Sequence, residues 1–88
     1  MNQNYTIMKT KITYQFETKA TVKTIDLCNY EIKFFRYCDA KDFHKLICGN
    51  NTFRNCFSHI DGVTIHLTTD INVSLSSNNE TLSIIVED

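Results

Sequence analysis

The sequence predicts an α+β fold: a small antiparallel sheet of about five strands, with one helical segment at roughly 40–59 set between N-terminal strands and a C-terminal hairpin. Three observations lead there. Hydrophobicity alternates with period two at both ends of the chain, it takes a helical period in the middle, and turn-forming residues cluster where the period changes.

From Met8 the even positions read Met8, Thr10, Ile12, Tyr14, Phe16, Thr18, Ala20 and Val22, while the odd positions from Lys9 to Lys23 are polar or charged. Such alternation marks half-buried strand. One strand of that length is unusual, so a turn near Glu17–Lys19 is expected to make a hairpin. The phase then slips, because Ile25 and Leu27 are odd, and a bulge or turn near Lys23–Thr24 accounts for it. After a second turn at Cys28–Asn29 comes Tyr30–Tyr37, rich in aromatic and β-branched residues. Tyr30, Ile32 and Phe34 should face the core, and Phe35 and Tyr37 the opposite side.

Asp39-Ala40-Lys41-Asp42 offers an N-cap and an acidic third position, a relative of the capping box. Ala40, Phe43, Leu46 and Ile47 then share one helical face. Gly49 suits the left-handed residue that ends a helix. Thr52 is expected to cap a second, shorter helical turn through about His59, with Gly62 marking its exit. Period two returns with Val63, Ile65, Leu67, Ile71, Val73 and Leu75 inward. Ser76-Ser77-Asn78-Asn79 is a turn, and Leu82, Ile84 and Val86 close the sheet on what is expected to be an edge strand, Leu82–Glu87, blunted by Glu87 and Asp88.

With 88 residues, residues 1–88 are expected to form one domain. A composition of 42% hydrophobic and 22% charged residues excludes a disordered chain. No apolar run approaches the roughly 20 residues of a membrane span, and the polar stretch Met1–Tyr5 leads into no signal sequence. A soluble, cytoplasmic, non-secreted protein is therefore expected. In that setting Cys28, Cys38, Cys48 and Cys56 are thiols, and the sequons at Asn4, Asn50, Asn72 and Asn79 are compositional. Ten Ile, nine Asn and seven Lys beside two Ala, two Gly and no Pro or Trp match AT-rich codons, as in many phages and large viruses. Charge is segregated: residues 1–54 hold all nine Lys and Arg against five acids, and residues 55–88 hold five acids alone. Pairing between acidic C-terminal and basic N-terminal strands would absorb the difference.

Four side chains carry metal-ligating chemistry at close spacing: His44, Cys48, Cys56 and His59. On a helix His44 and Cys48 are i, i+4 neighbours, and Cys56 and His59 would be i, i+3 on a second turn. Two His and two Cys make an acceptable tetrahedral zinc site, although the chain lacks the CxxC knuckle that gives such sites their signature. The same residues could be drawn as a Cys–His catalytic pair, given a third group to orient the base. Two glycines, no phosphate-cradling loop and little volume for a deep pocket argue against an enzyme.

The stretch YEIKFFRY, Tyr30–Tyr37, pairs outward aromatics with Lys33 and Arg36. Base stacking with phosphate contact is one use of such a surface. A net charge of −1 and the absence of the glycine that marks RNA-recognition strands argue against nucleic acid. No stretch carries the motif of a known family. The expected function is a small protein–protein interaction module that needs no cofactor. It would be a phage- or virus-encoded inhibitor of a larger host (defence) protein, or it would self-associate through an edge strand as a homodimer. Lys33, Phe35, Arg36, Tyr37 and Glu87 are the expected contacts. A small nucleic-acid-binding domain or a structural zinc-binding domain is the alternative.

Overall fold

The computed structural model describes residues 11–87. The expectations for Met8, Lys9, Thr10, the Asn4 sequon and Asp88 lie outside them. Seven strands and one α-helix follow in the order β1 (Lys11–Phe16), β2 (Ala20–Thr24), β3 (Asn29–Phe34), α1 (Tyr37–Gly49), β4 (Phe57–Asp61), β5 (Thr64–Thr68), β6 (Val73–Ser77) and β7 (Leu82–Glu87), with a 3-10 turn at Asn51–Phe53. The α+β class therefore holds. The single sheet does not: the strands form two antiparallel sheets, β1-β7-β6 and β2-β3-β5-β4.

The chain passes between the sheets at two corners. Residues 17–19 lead from β1, which pairs with β7, to β2, which pairs with β3. The expected β1–β2 hairpin is thus a crossover. Residues 69–72 lead back from β5 to β6. Both corners are marked by a buried threonine whose hydroxyl finds a partner. Thr18 Oγ1 donates to Asp39 Oδ2 at 2.9 Å, and Thr69 donates to the Cys28 carbonyl through its N–H at 2.7 Å and its hydroxyl at 3.5 Å. Burying a hydroxyl is tolerable only when it is bonded. Ile71, expected inward, sits on the second corner and is 75% exposed.

Both sheets and the helix contribute to one buried cluster. It includes Ile32 and Phe34 from β3, Ala40, Phe43 and Ile47 from α1, Ile65 and Leu67 from β5, and Leu82, Ile84 and Val86 from β7. Phe43 joins the layers: its ring centroid lies 5.4 Å from Phe16 of β1, edge-on, and 5.5 Å from Phe34 of β3. The inward set read from alternation, Tyr30, Ile32 and Phe34, is buried, as are Leu82, Ile84 and Val86.

Local chemistry explains the turns. In the β2–β3 hairpin Asp26 Oδ1 accepts from Asn29 Nδ2 at 2.8 Å and from the Cys28 N–H at 3.0 Å. These bonds hold the Asp26 carboxyl below its ordinary range and leave Ile25 and Leu27 in solvent. Asp61 faces Thr64 across the β4–β5 hairpin, so Gly62 and Val63 form its tip. Gly62 has φ 63°, and no other described residue has positive φ, which fits the type II′ turn with glycine in its first central position.

Helix α1 begins at Tyr37, two residues before the expected cap. Asp39 does not cap it, because its carboxylate is taken by Arg36 and Thr18. Gly49 is the last helical residue, without positive φ. The 3-10 turn is capped by Asn50, whose Oδ1 accepts from Thr52 N–H at 2.9 Å, instead of by Thr52.

The two glycines make an opposed pair of predictions. An added Cβ meets no atom within 4 Å at either, so backbone conformation alone decides. Gly62→Ala should cost about 1–2 kcal/mol, the penalty of a left-handed residue with a Cβ. Gly49→Ala should gain about 0.5–1 kcal/mol by restricting the unfolded chain. Urea midpoints moving in opposite directions check both.

Candidate functional site: an aromatic and cationic surface at the β3–α1 junction

Alternation along β3 puts Phe34 inward and Phe35 outward, where it is 78% exposed. The Phe35 N–H donates to the Lys19 carbonyl at 3.2 Å, which holds the first corner against the end of β3. Lys19 Nζ lies 5.5 Å from the centroid of the Phe35 ring, a cation–π contact. Lys33 projects from the outer face of β3 between Thr21 of β2 and Thr64 of β5. Tyr37, the first residue of α1, is 55% exposed. Asn78 and Asn79 of the β6–β7 turn close one side, so a shallow cleft of about 220 Å³ is lined by Lys19, Ala20, Thr21, Lys33, Phe35 and the two asparagines.

Arg36 belongs to this junction, and its exposed guanidinium is paired with Asp39 of the same chain. Its Nε and Nη2 donate to Asp39 Oδ2 and Oδ1 at 3.1 and 3.2 Å. The guanidinium, helped by the Thr18 hydroxyl, holds the Asp39 carboxyl below its ordinary range, and Asp39 in turn pushes Arg36 up. The pair fixes the entry of α1 against the first corner. Lys19, which sequence reasoning passed over as one polar position in an alternating run, is the cation the patch presents beside Phe35. Its 16-residue separation from Phe35 closes only through the crossover.

Across the same corner lies a second hollow of about 390 Å³. It is walled by Phe16, Phe34, Phe43 and Leu46 and rimmed by Glu17, Asp39 and Asp42. The junction thus offers an aromatic and cationic surface on one side of residues 17–19 and an apolar, acid-rimmed hollow on the other.

Glu87 does not join this surface. It sits at the end of β7 remote from the Asn78–Asn79 turn, opposite Lys11 of β1, and its N–H donates to the Asn72 carbonyl. Strand β7 is also no edge. It lies between β1 and β6, its backbone paired on both sides, so an edge-strand partner cannot dock there. The outer strands of the two sheets are β1, β6, β2 and β4, of which β6 and β2 approach each other.

The four candidate metal ligands fall into three places. His44 and Cys48 converge on α1 as expected, with Cys48 Sγ 3.6 Å from His44 Nε2. Residues 57–61 are strand β4 instead of a helical turn, so alternation turns His59 to the outer sheet face, where its ring lies 6.2 Å from that of His66. Ser58 faces inward and meets His44. Cys56, half-buried ahead of β4, lines a third hollow with Asp70, and burial pushes its thiol up. Among the described residues no group of three or more His, Cys, Asp or Glu side chains is placed to hold a metal ion.

A second exposed apolar group went unnoticed in the sequence. Leu27, Phe57 and Ile71, exposed to 68, 67 and 75%, gather at the opposite end of the four-stranded sheet, where Phe57 lies across from Thr68 and Thr69 bonds Cys28. Among the described residues no helix is long and apolar enough to cross a membrane. Comparison of the chain with family models, curated proteins and solved structures finds no match.

Proposed function

We propose that this chain is a small protein–protein interaction module that binds a larger protein through the β3–α1 junction and blocks it. The observation that carries the reading is Phe35: a large aromatic ring, 78% exposed, one residue past the end of β3 and flanked by Lys19 and Lys33. Exposed aromatics beside cations are what interface centres are made of, since each buries much apolar area at small entropic cost on binding. Tyr37 extends the surface, and the hollow between Phe16 and Phe43 offers a socket for one apolar side chain of the partner. Arg36 stands on the same surface, paired with Asp39.

The exposed ring and two lysines also suit a stacked nucleotide with its phosphate, the alternative reading. Neutralisation of Arg36 by Asp39 and the net charge of −1 weigh against it.

The test is capture of a partner from a cell extract by the immobilised chain, repeated with Phe35→Ala combined with Lys33→Glu. A defined protein should be retained by the parent chain, and the double variant should lose it by at least about 30-fold in affinity, as for a hot spot of about 2 kcal/mol. Its melting temperature should stay within about 2 °C, because both side chains stand in solvent. Undiminished capture by the double variant removes the junction from the interface. Retention of nucleic acid instead, weakening steeply between low and moderate salt, establishes the alternative.

A further inference from the structure

The hollow behind the first corner takes its walls from three elements. Phe16 ends β1, Phe34 ends β3, and Phe43 and Leu46 belong to α1. Phe34 and Phe43 are 3% and 1% exposed, whereas Phe16 and Leu46 are half-buried. The two buried rings therefore form the floor, and Phe16 and Leu46 carry the apolar surface that meets solvent. At about 390 Å³ the space suits one aromatic side chain and the main chain that carries it.

Three carboxylates stand around the opening, and they are not equivalent. Asp39 is already engaged: Arg36 donates to both of its oxygens and Thr18 to one. Glu17 and Asp42 are exposed and make no ion pair among the described residues. Asp39, Asp42, Phe43 and Leu46 recur at intervals of three and four, which sets them on one side of α1. No lysine or arginine lines this hollow, and Lys45 lines the more open one beyond Asp42 and Leu46. The hollow beside Cys56, by contrast, has both Arg54 and Asp70 in its lining.

The geometry points to a basic segment of the partner as the occupant: one apolar side chain enters the hollow, and lysine or arginine side chains beside it meet Glu17 and Asp42. The inference rests on the proposed interface and names the chemistry of the half that lies behind the corner. Burying an apolar side chain in a preformed hollow supplies the affinity. The two unpaired carboxylates supply the selection. Each attracts a cation weakly at an exposed site, but together they repel an acidic segment. The two sides of residues 17–19 thus ask for opposite charge in the partner, acid against Lys19 and Lys33 and base against Glu17 and Asp42.

The probe is an acetylated, amidated pentapeptide with phenylalanine between two pairs of lysines, titrated into the isotope-labelled full chain while amide chemical shifts are followed. Shifts should centre on Glu17, Thr18, Asp42 and Leu46, with a dissociation constant of about 1 mM or tighter. The peptide with glutamates in place of lysines should bind at least about fivefold more weakly, and alanine in place of its phenylalanine should cost about tenfold. Glu17→Gln with Asp42→Asn should weaken the lysine peptide about threefold to tenfold. Both side chains are exposed, so the melting temperature should stay within about 2 °C. Equal binding of the lysine and glutamate peptides, indifference to the phenylalanine, or shifts centred elsewhere overturn the inference. Shifts around the hollow that grow with protein concentration before any peptide is added make a second copy the occupant and overturn it too. The titration needs no partner protein, so the two readings fail separately. An absent peptide signal beside Phe35-dependent capture removes the hollow alone, and peptide binding beside capture indifferent to Phe35 removes the aromatic surface alone.

Discussion

Phe43→Ala is expected to remove about half of the chain's stability, about 3–5 kcal/mol. The side chain is 1% exposed and touches aromatic rings from both sheets, Phe16 and Phe34, while its own backbone belongs to α1. Removing a buried phenyl group costs about 3–5 kcal/mol through lost transfer energy and the cavity left behind. A domain of this size has on the order of 5–10 kcal/mol in total. The loss falls where helix, three-stranded sheet and four-stranded sheet meet, in the middle of the shared core. Urea denaturation followed by far-ultraviolet circular dichroism is the measurement. Phe57→Ala is the control: that ring is 67% exposed, and its removal should change stability by no more than about 0.5 kcal/mol. Equal effects at the two positions would mean that Phe43 is not the joint between the layers.

The second large effect concerns strand order. Deleting residues 82–88 should unfold the chain outright, because β7 is the centre of its sheet. The deletion strips β1 and β6 of the one strand each is hydrogen-bonded to among the described residues. It also removes Leu82, Ile84 and Val86 from the core, each worth about 1.5–3 kcal/mol of burial. An edge strand, by contrast, leaves its neighbour paired on the other side when lost. Circular dichroism and the dispersion of amide proton signals distinguish the outcomes. A truncated chain that retains dispersed signals and a sharp melt would contradict the β1-β7-β6 order.

Much of the layering was legible in the residues. Alternation identified the buried faces of β3 and β7, helical periodicity identified Ala40, Phe43 and Ile47, and the break at residues 17–19 was placed correctly, whereas the two turns expected at Lys23–Thr24 and Cys28–Asn29 are a single turn over residues 25–28. Strand β4 was missed because its polarity is inverted. Apolar Phe57 faces solvent and polar Ser58 faces inward to bond His44, so the hydrophobic pattern gives no strand signal there. With β4 read as helix, Cys56 and His59 were carried toward His44 and Cys48, and the four-ligand cluster followed. Successive residues of a strand point to opposite faces, so strand geometry separates Ser58 from His59. At the candidate site Phe35 and Tyr37 were found as outward aromatics. Lys19 and the role of Arg36 were not, since each depends on a residue brought near by the crossover or on a carboxylate already engaged with Thr18.

What the sequence by itself determined is therefore which face of β3, α1 and β7 is buried, because burial there is written locally in the period of apolar side chains. Which strands pair was decided only in the tertiary structure. A chain that turns a corner between two sheets can keep the same face inward on both sides of it, as from Phe16 through Thr18 to Ala20. The alternation runs on unbroken while the hydrogen-bonding partner changes. Period two records the solvent boundary, and backbone pairing leaves no mark on it.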